Sequence, residues 1–497
     1  MRSAFYRFRQ VRIRDVSGRR AARAQLQVDS PCAAGLAYHV GLFTVTAPMP
    51  AKHSLRYEIN ATTRLAAPLV LGQLSSVAMS VVDTVLAGWH SPTTLAAVAV
   101  GSAIWSVVIL VLIGVLMAVP PIIAQLNGAG RRDEIGSSFR QALWLALTMG
   151  LALMVLVRNA EWMFDLARIA SEVRPEALAF LDAIGWGAPA LALYFCLRYL
   201  SEGVSWTVPT MVFGVAGLLL LAPLGYALMF GRWGLPELGA AGLGYATAGV
   251  LWAQATGFAV YLARSPRFRD LRLFVRFEAP RWSAIRELLR IGLPMGVAIF
   301  MEGSLFVVSA LLIGRIGAIE VAAHQIAINL SSVTFMVPLG VAMATTVRVG
   351  HAVGMGDADG VRGAGLAGYS IVLVTQVGAG LVMFFGNHWL VGLYTRDAAV
   401  AAVASSLLLY AAAFQLPDGI QALSGGALRG LKDTRMPMFI TVLAYWLLGM
   451  PLGAGLAFGL GWGAQGMWAG LIMGLTAAAG LLCWRFVRLA RAAVTSG

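Results

Sequence analysis

LAAPLVLGQLSSVAMSVVDTVLAG, residues 65–88, holds one charge, Asp83, in a run long enough to cross a bilayer as a helix. IGLPMGVAIFMEGSLFVVSALLIG, residues 291–314, is a second such run with Glu302 as its one charge. LLLYAAAFQLPDGIQALSGGAL, residues 407–428, holds Asp418. An ionised acid at the centre of a membrane helix costs about 2.5–3.5 kcal/mol on insertion scales. Such a side chain faces a bundle interior or a water-filled cavity, where it handles protons, ions or cationic substrate. The sequence contains no HExxH, GxSxG or Walker motif. GAGLAG at 363–368 fits a dinucleotide fingerprint, but it opens an apolar run with no strand before it. The acids therefore point to a transporter, with no nucleotide-binding loop for ATP to drive it directly.

The whole chain agrees. Of 497 residues 59% are hydrophobic and 12% charged, whereas a soluble domain carries about 25% charged residues. Apolar runs of the same length recur from residue 65 to residue 488 without period-two alternation. An all-α integral membrane protein is expected, not a β-barrel. A formal charge of +14 would suggest nucleic acid in a soluble protein. Here the arginines gather in alternate loops, which sets orientation instead. Cys32, Cys196 and Cys483 show neither disulfide nor metal-site spacing.

Twelve helices are predicted, at about 63–88, 96–127, 138–158, 177–199, 208–230, 240–263, 286–314, 322–350, 363–385, 400–428, 437–458 and 466–489. Arg131 and Arg132 follow the second, six arginines from Arg264 to Arg281 follow the sixth, and Arg429, Lys432 and Arg435 follow the tenth. The positive-inside rule then places both termini in the cytoplasm. A shift of about 226 residues matches Pro68 with Pro294, Gly88 with Gly314, Gly114-Val115 with Gly340-Val341 and Gly128 with Gly354. Six helices per repeat give parallel repeats about an axis normal to the membrane, a plan suited to alternating access. The expected organisation is a basic extension at 1–60, a lobe at 61–265, a cytoplasmic linker at 266–285, a second lobe at 286–490 and a tail at 491–497. The extension is expected to be dispensable, disordered or the product of a start codon placed ahead of Met49.

Several motifs together resemble the MATE (multidrug and toxic compound extrusion) family, within it the NorM-like branch. They are SVVDTVLAG at 80–88, IAQLNGAGRRDEI at 123–135, LRYLSEGVSWTVPTMVFG at 197–214, LPELGAAGLGYATA at 235–248, AAHQIAINLSS at 322–332 and GGALRGLKDTRMPM at 425–438. The resemblance covers about residues 60–490. It implies two six-helix lobes in a bacterial inner membrane, exchanging an inward proton or sodium for an outward organic cation. It also implies that Asp83, Glu302 and Asp418 are the coupling and substrate acids, and that Glu202 matches the acid of the family's SEG motif. No cofactor, nucleic acid or further subunit is implied; the working unit is a monomer in lipid.

This chain departs from the family pattern in two places. Where NorM-like relatives commonly carry two asparagines around a fifth-helix proline, it has Leu221 and Gly225. Where they often carry a tyrosine one turn before the tenth-helix acid, it has Phe414. Sodium needs several oxygen ligands, so the departures favour a proton over sodium at Asp83 or at Glu302 and Asp418. Thr247 and Tyr226 are candidate replacement oxygens, and Gln325 lies beside His324 at a helix start. Arg198 stands four residues before Glu202, so a structural ion pair is the plainer account of that acid. Two other functions have specific requirements. A lipid-linked saccharide flippase would line its cavity with several arginines, and a membrane aspartyl enzyme would need two aspartates sharing a proton.

Overall fold

The computed structural model describes residues 54–167 and 169–495, and the regular structure among them is helical. Helix α1 (Leu55–His90) starts where the Ser54 hydroxyl accepts the Tyr57 amide at 3.3 Å. Ser91 caps α2 (Pro92–Leu116) in the same way, and α2 continues into α3 (Val119–Gly128) as one span. There follow α4 (Arg132–Arg158), the short α5 (Glu161–Ala167), α6 (Arg174–Gly185), α7 (Ala188–Gly203), α8 (Val208–Phe230) and α9 (Gly239–Arg264). Beyond the linker come α10 (Trp282–Gly314), α11 (Ala318–Met355), α12 (Ala358–Gly392), α13 (Ala398–Gly430), α14 (Arg435–Val442), α15 (Met450–Ala454) and α16 (Gly463–Thr495).

Among the described residues 11 spans are long and apolar enough to cross a membrane, and the α6–α7 pair, bent by 46°, makes up to 12. Pro189 explains the bend: its nitrogen cannot donate to the carbonyl of Gly185, and Gly187 adds freedom at the same place. The expected 208–230 helix matches α8, which Pro209 opens and Gly231, at φ +63°, closes. Other helices outrun their apolar cores. Helix α1 starts inside the stretch assigned to the extension and α16 runs into the assigned tail. Their terminal arginines and glutamates are good helix formers, so leaving the apolar zone does not end the helix. The remaining expectations for residues 1–53 lie outside the described residues. The eleventh span alternates α14, a π-helical stretch Leu443–Gly449, α15 and a second π stretch Gly455–Gly459. Pro451 removes the amide that would bond the carbonyl of Leu447, which favours the wider ladder there.

The first half, α1–α9, packs around buried Phe139, Phe180 and Phe258; a second cluster lies around Phe414, Tyr445 and Trp468. The halves meet through small residues. A Cβ added to Gly114 of α2 would sit 2.3 Å from the Gly296 Cα of α10, and one on Gly340 of α11 would sit 2.5 Å from the Val70 side chain of α1. Removing 226 from 340 and 296 gives 114 and 70, so these two contacts are repeat-related. The same holds for Gly128 against the His351 carbonyl (2.0 Å from an added Cβ) and Gly354 against the Gln125 carbonyl (2.1 Å). The seam thus has the reciprocal form of a twofold interface, with backbones approaching where only glycine fits.

The Gly114 and Gly340 contacts lie nearer the middle of their helices, and the Gly128 and Gly354 contacts at the arginine-rich end of the bundle. There Arg348 of α11 donates to the Glu58 carbonyl at 2.8 Å, to the Thr62 hydroxyl at 2.7 Å and to the Glu58 carboxylate. Gln125 donates to the Gly430 carbonyl at 2.9 Å. The linker at this end is pinned by Glu278, which accepts from Arg140 at 2.6 Å, Ser137 at 2.9 Å and Arg276 at 2.9 Å. These partners, Arg140 first, lower the Glu278 carboxyl from its usual 4.5 to about 2.

Candidate functional site

A cavity of about 640 Å³ lies between the halves. Helix α1 brings Asp83 to its wall and α10 brings Glu302 from the opposite half. Met79, Trp105, Phe195, Phe306, Phe335 and Met343 are among the cavity's apolar lining residues. Aromatic faces attract organic cations and thioethers adapt to irregular shapes. The volume falls within the range of drug-sized pockets, about 300–1,000 Å³.

Asp83 shares the cavity wall with Ser80 and Thr247, and hydrocarbon packs on its other side. Its Oδ1 is buried without a hydrogen-bond partner. Leu221, Ala246 and Val250 form an apolar cluster with Met79 and Val82, one turn and one residue from the acid. At Gly225 an added Cβ would meet Leu86 at 2.9 Å and Leu243 at 3.2 Å. The two positions that depart from the family pattern are therefore filled with hydrocarbon or closed to a side chain. Thr247 lines the cavity, and its hydroxyl donates to the Leu243 carbonyl at 3.1 Å.

Asp418 sits in the second half, 5% exposed, with Oδ1 lacking a partner. It is not among the lining residues of the cavity, but it feels the charge of Glu302. Phe414, one turn before it, packs edge-on against Phe306 at 6.1 Å and Trp468 at 5.7 Å. Glu202 belongs to a buried structural network. Arg198 Nε donates to it at 2.6 Å and Thr210 Oγ1 at 3.0 Å, while Arg198 Nη2 donates to Gln73 at 3.0 Å. Arg198 lines the cavity, but Glu202 neutralises it. Tyr226, 37% exposed, stacks by Phe230, and Gln325 donates to Asn329; neither is among the lining residues. His324 accepts from Trp468 at 3.2 Å and is a satisfied buried group.

Three residues with no sequence signal stand here. Arg429 and Gln421 of α13 line the cavity, and Arg429 feels the charge of Glu302. Tyr445 is fully buried beside both acids of the second half. Among the described residues no group of three or more His, Cys, Asp or Glu could hold a metal ion.

The MatE family matches this chain twice, over residues 68–227 and 294–454, once in each half. A probable multidrug resistance protein NorM of Xanthomonas campestris pv. campestris is 57% identical over 434 residues, 87% of this chain and 95% of the relative. The chain belongs to the MATE family. Another relative, the multidrug resistance protein PmpM of Pseudomonas aeruginosa, is 41% identical over 449 residues, covering 88% of this chain and 93% of its own. The crystal structure of a eukaryotic MATE transporter, AtDTX14, superposes with a TM-score of 0.81 at 21% identity, covering 88% of this chain and 98% of that one. It shows the same fold. By its family and its multidrug-resistance relatives, this MATE protein is a transporter and not an enzyme.

Proposed function

We propose that this protein is a multidrug exporter of the bacterial inner membrane that expels organic cations in exchange for protons by alternating access. One observation carries the reading: a cavity between the halves is lined by Asp83 from the first and Glu302 from the second, within aromatic and thioether walls. Carboxylates select positive charge, and the walls fit flat apolar cations of varied shape. A lipid-linked saccharide would want arginines for its phosphates. Of the two lining arginines named above, Arg198 is spoken for by Glu202 and Arg429 faces Glu302. With the arginine-rich end in the cytoplasm, as the positive-inside rule directs, both termini are cytoplasmic.

The hydrocarbon at Leu221 and Gly225, where relatives offer amides, supports the proton over sodium in the first half. A proton needs one carboxylate, whereas sodium needs several oxygens. Binding a proton removes the charge that holds the organic cation, so acid outside should speed export. The test uses purified protein in liposomes loaded with ethidium. An imposed pH gradient in sodium-free buffer should drive its movement, and a sodium gradient at equal pH should drive little. Movement under sodium alone, with no response to pH, would refute proton coupling. Movement under neither would refute the exporter reading.

A further inference from the structure

Guanidinium outnumbers carboxylate where the linker runs along α4. Three arginines reach Glu278: Arg140 at 2.6 Å, Arg276 at 2.9 Å and Arg281 at 3.6 Å. Arg140 meets the structural need. It is 11% exposed, and it also donates to the carbonyls of Arg272 at 2.8 Å and Leu273 at 3.2 Å. Arg276 and Arg281, 72% and 58% exposed, are in surplus. Beyond Glu278, Arg281 has a side-chain bond to the Ser137 hydroxyl. The neighbouring acids are engaged elsewhere: Arg132 holds Asp270 at 2.6 Å, and Glu287 faces Lys432 at 4.0 Å. Two positive charges are thus left at this place without an anion from the described residues.

Helix α4 sets the depth of the place. Asp270 bonds Arg132 at the helix start, whereas the Glu278 carbonyl accepts the Trp144 indole at 2.8 Å, about 18 Å further along at 1.5 Å per residue. Arg140 is the last charge before the uncharged run 141–157. The linker therefore reaches the level where α4 enters hydrocarbon, and Trp144 stands there as interfacial tryptophans do. At that level the linker turns apolar side chains outward. Phe277 packs edge-on against Trp144 at 5.7 Å yet is 81% exposed, and Val275 and Trp282 are exposed too. In water such side chains would forgo their burial energy. Arg276 stands between Val275 and Phe277, and Arg281 precedes Trp282. An apolar patch rimmed by surplus guanidiniums fits a ligand with a negative head and an apolar tail. A zwitterionic lipid brings its own cation and leaves the surplus in place; an anionic one removes it.

We propose that this face of the linker binds an anionic phospholipid of the leaflet at the arginine-rich end, with Arg276 and Arg281 taking the phosphate and Val275, Phe277 and Trp282 lying against the acyl chains. None of these residues lines the cavity, so the inference stands apart from the exporter reading. Thermal unfolding of the purified full-length protein is followed in neutral detergent while phosphatidylglycerol or phosphatidylcholine is titrated in. A ligand of the folded state raises the melting temperature. Phosphatidylglycerol should raise it in the wild type at concentrations where phosphatidylcholine, inorganic phosphate and glycerophosphoglycerol, the headgroup without chains, do not. Arg276→Gln combined with Arg281→Gln should need roughly 30-fold more phosphatidylglycerol, the effect of two arginines at an anionic lipid surface. In phosphatidylcholine this double variant should melt as the wild type does, because Arg140 still holds Glu278. Arg264→Gln combined with Arg269→Gln removes the same charge near the same linker and should keep the wild-type midpoint. Equal stabilisation of the wild type by both lipids overturns the proposal, as does an equal effect of phosphate or the free headgroup. An equal loss in the Arg264 and Arg269 pair would mean diffuse charge and no site. A lower melting temperature in phosphatidylcholine with an unchanged midpoint would assign Arg276 and Arg281 to linker structure alone. If the double variant does not fold, Arg276→Gln by itself decides, with a shift of roughly fivefold expected and no shift refuting the site.

Discussion

The Glu58–Arg348 pair makes a quantitative prediction about how this protein opens. The two side chains are 4% and 15% exposed, so the pair is largely out of water. Breaking a buried pair by removing one partner costs about 3–5 kcal/mol. Glu58→Gln removes less than that, because glutamine keeps an acceptor oxygen. Arg348 also keeps its bonds to the Glu58 carbonyl at 2.8 Å and the Thr62 hydroxyl at 2.7 Å. About 2 kcal/mol remains, which is roughly a 30-fold change in an equilibrium constant. The pair bridges α1 and α11 across the seam, so it stabilises the state closed at the arginine-rich end against the state open there. Ala124, fully buried at the seam, would approach Gly350 within 3.1 Å if that glycine carried a Cβ, and it reports on opening. In a background lacking the native cysteines, Ala124→Cys should be labelled by an impermeant maleimide in inside-out vesicles. Adding Glu58→Gln should raise the labelling rate about 30-fold at the same maleimide concentration. If the rate is unchanged in a variant that still binds ethidium, the pair does not hold the seam and the reasoning fails.

Three further outcomes are expected. Asp83→Asn and Glu302→Gln each keep side-chain volume and remove charge, so ion-driven ethidium export should fall to background while the melting temperature stays within a few degrees; a loss of expression instead would assign that acid to structure. Gly114→Val should lower stability by about 1–3 kcal/mol, since overpacking drives α2 from α10, and unchanged thermal unfolding would contradict the 2.3 Å approach. The Glu278 carboxyl, held at about 2 in place of 4.5 by Arg140 and its neighbours, should pin the linker fully above pH 4.5 and lose it as pH falls through about 2. Hydrogen exchange of residues 266–281 should accelerate over that window in the wild type, whereas Glu278→Gln should exchange fast throughout.

The sequence made the helices legible because their apolar runs are long and their breaks are chemical. Pro209 and Gly231 bracket α8 at its expected limits. Helix α1 was harder to delimit, since Arg56, Tyr57 and Glu58 look like the end of an apolar run yet continue a helix capped at Ser54. Asp83 and Glu302 stand out because a charge among twenty apolar residues has few explanations, and the structure brings both to one cavity. The Arg198–Glu202 pair was visible from its spacing of four. Tyr445, Gln421 and Arg429 gave no such signal. A tyrosine and a glutamine are ordinary in membrane helices, and an arginine near a helix end reads as an interfacial charge. Their significance comes from the meeting of α10, α13 and a π-helical stretch, which no local window of sequence contains.

The reciprocity of the seam bears on ancestry. Gly114 with Gly296 and Gly340 with Val70 are one contact written twice, as are Gly128 with His351 and Gly354 with Gln125. Such a surface has the form that joins two identical chains, and the two copies differ around it. The Glu58–Arg348 pair shows the divergence, for its repeat-related positions are Ala284 and Ile122. Severed within the linker and produced as two polypeptides, the halves should find one another again in the membrane, because what joins them is the surface and not the peptide bond.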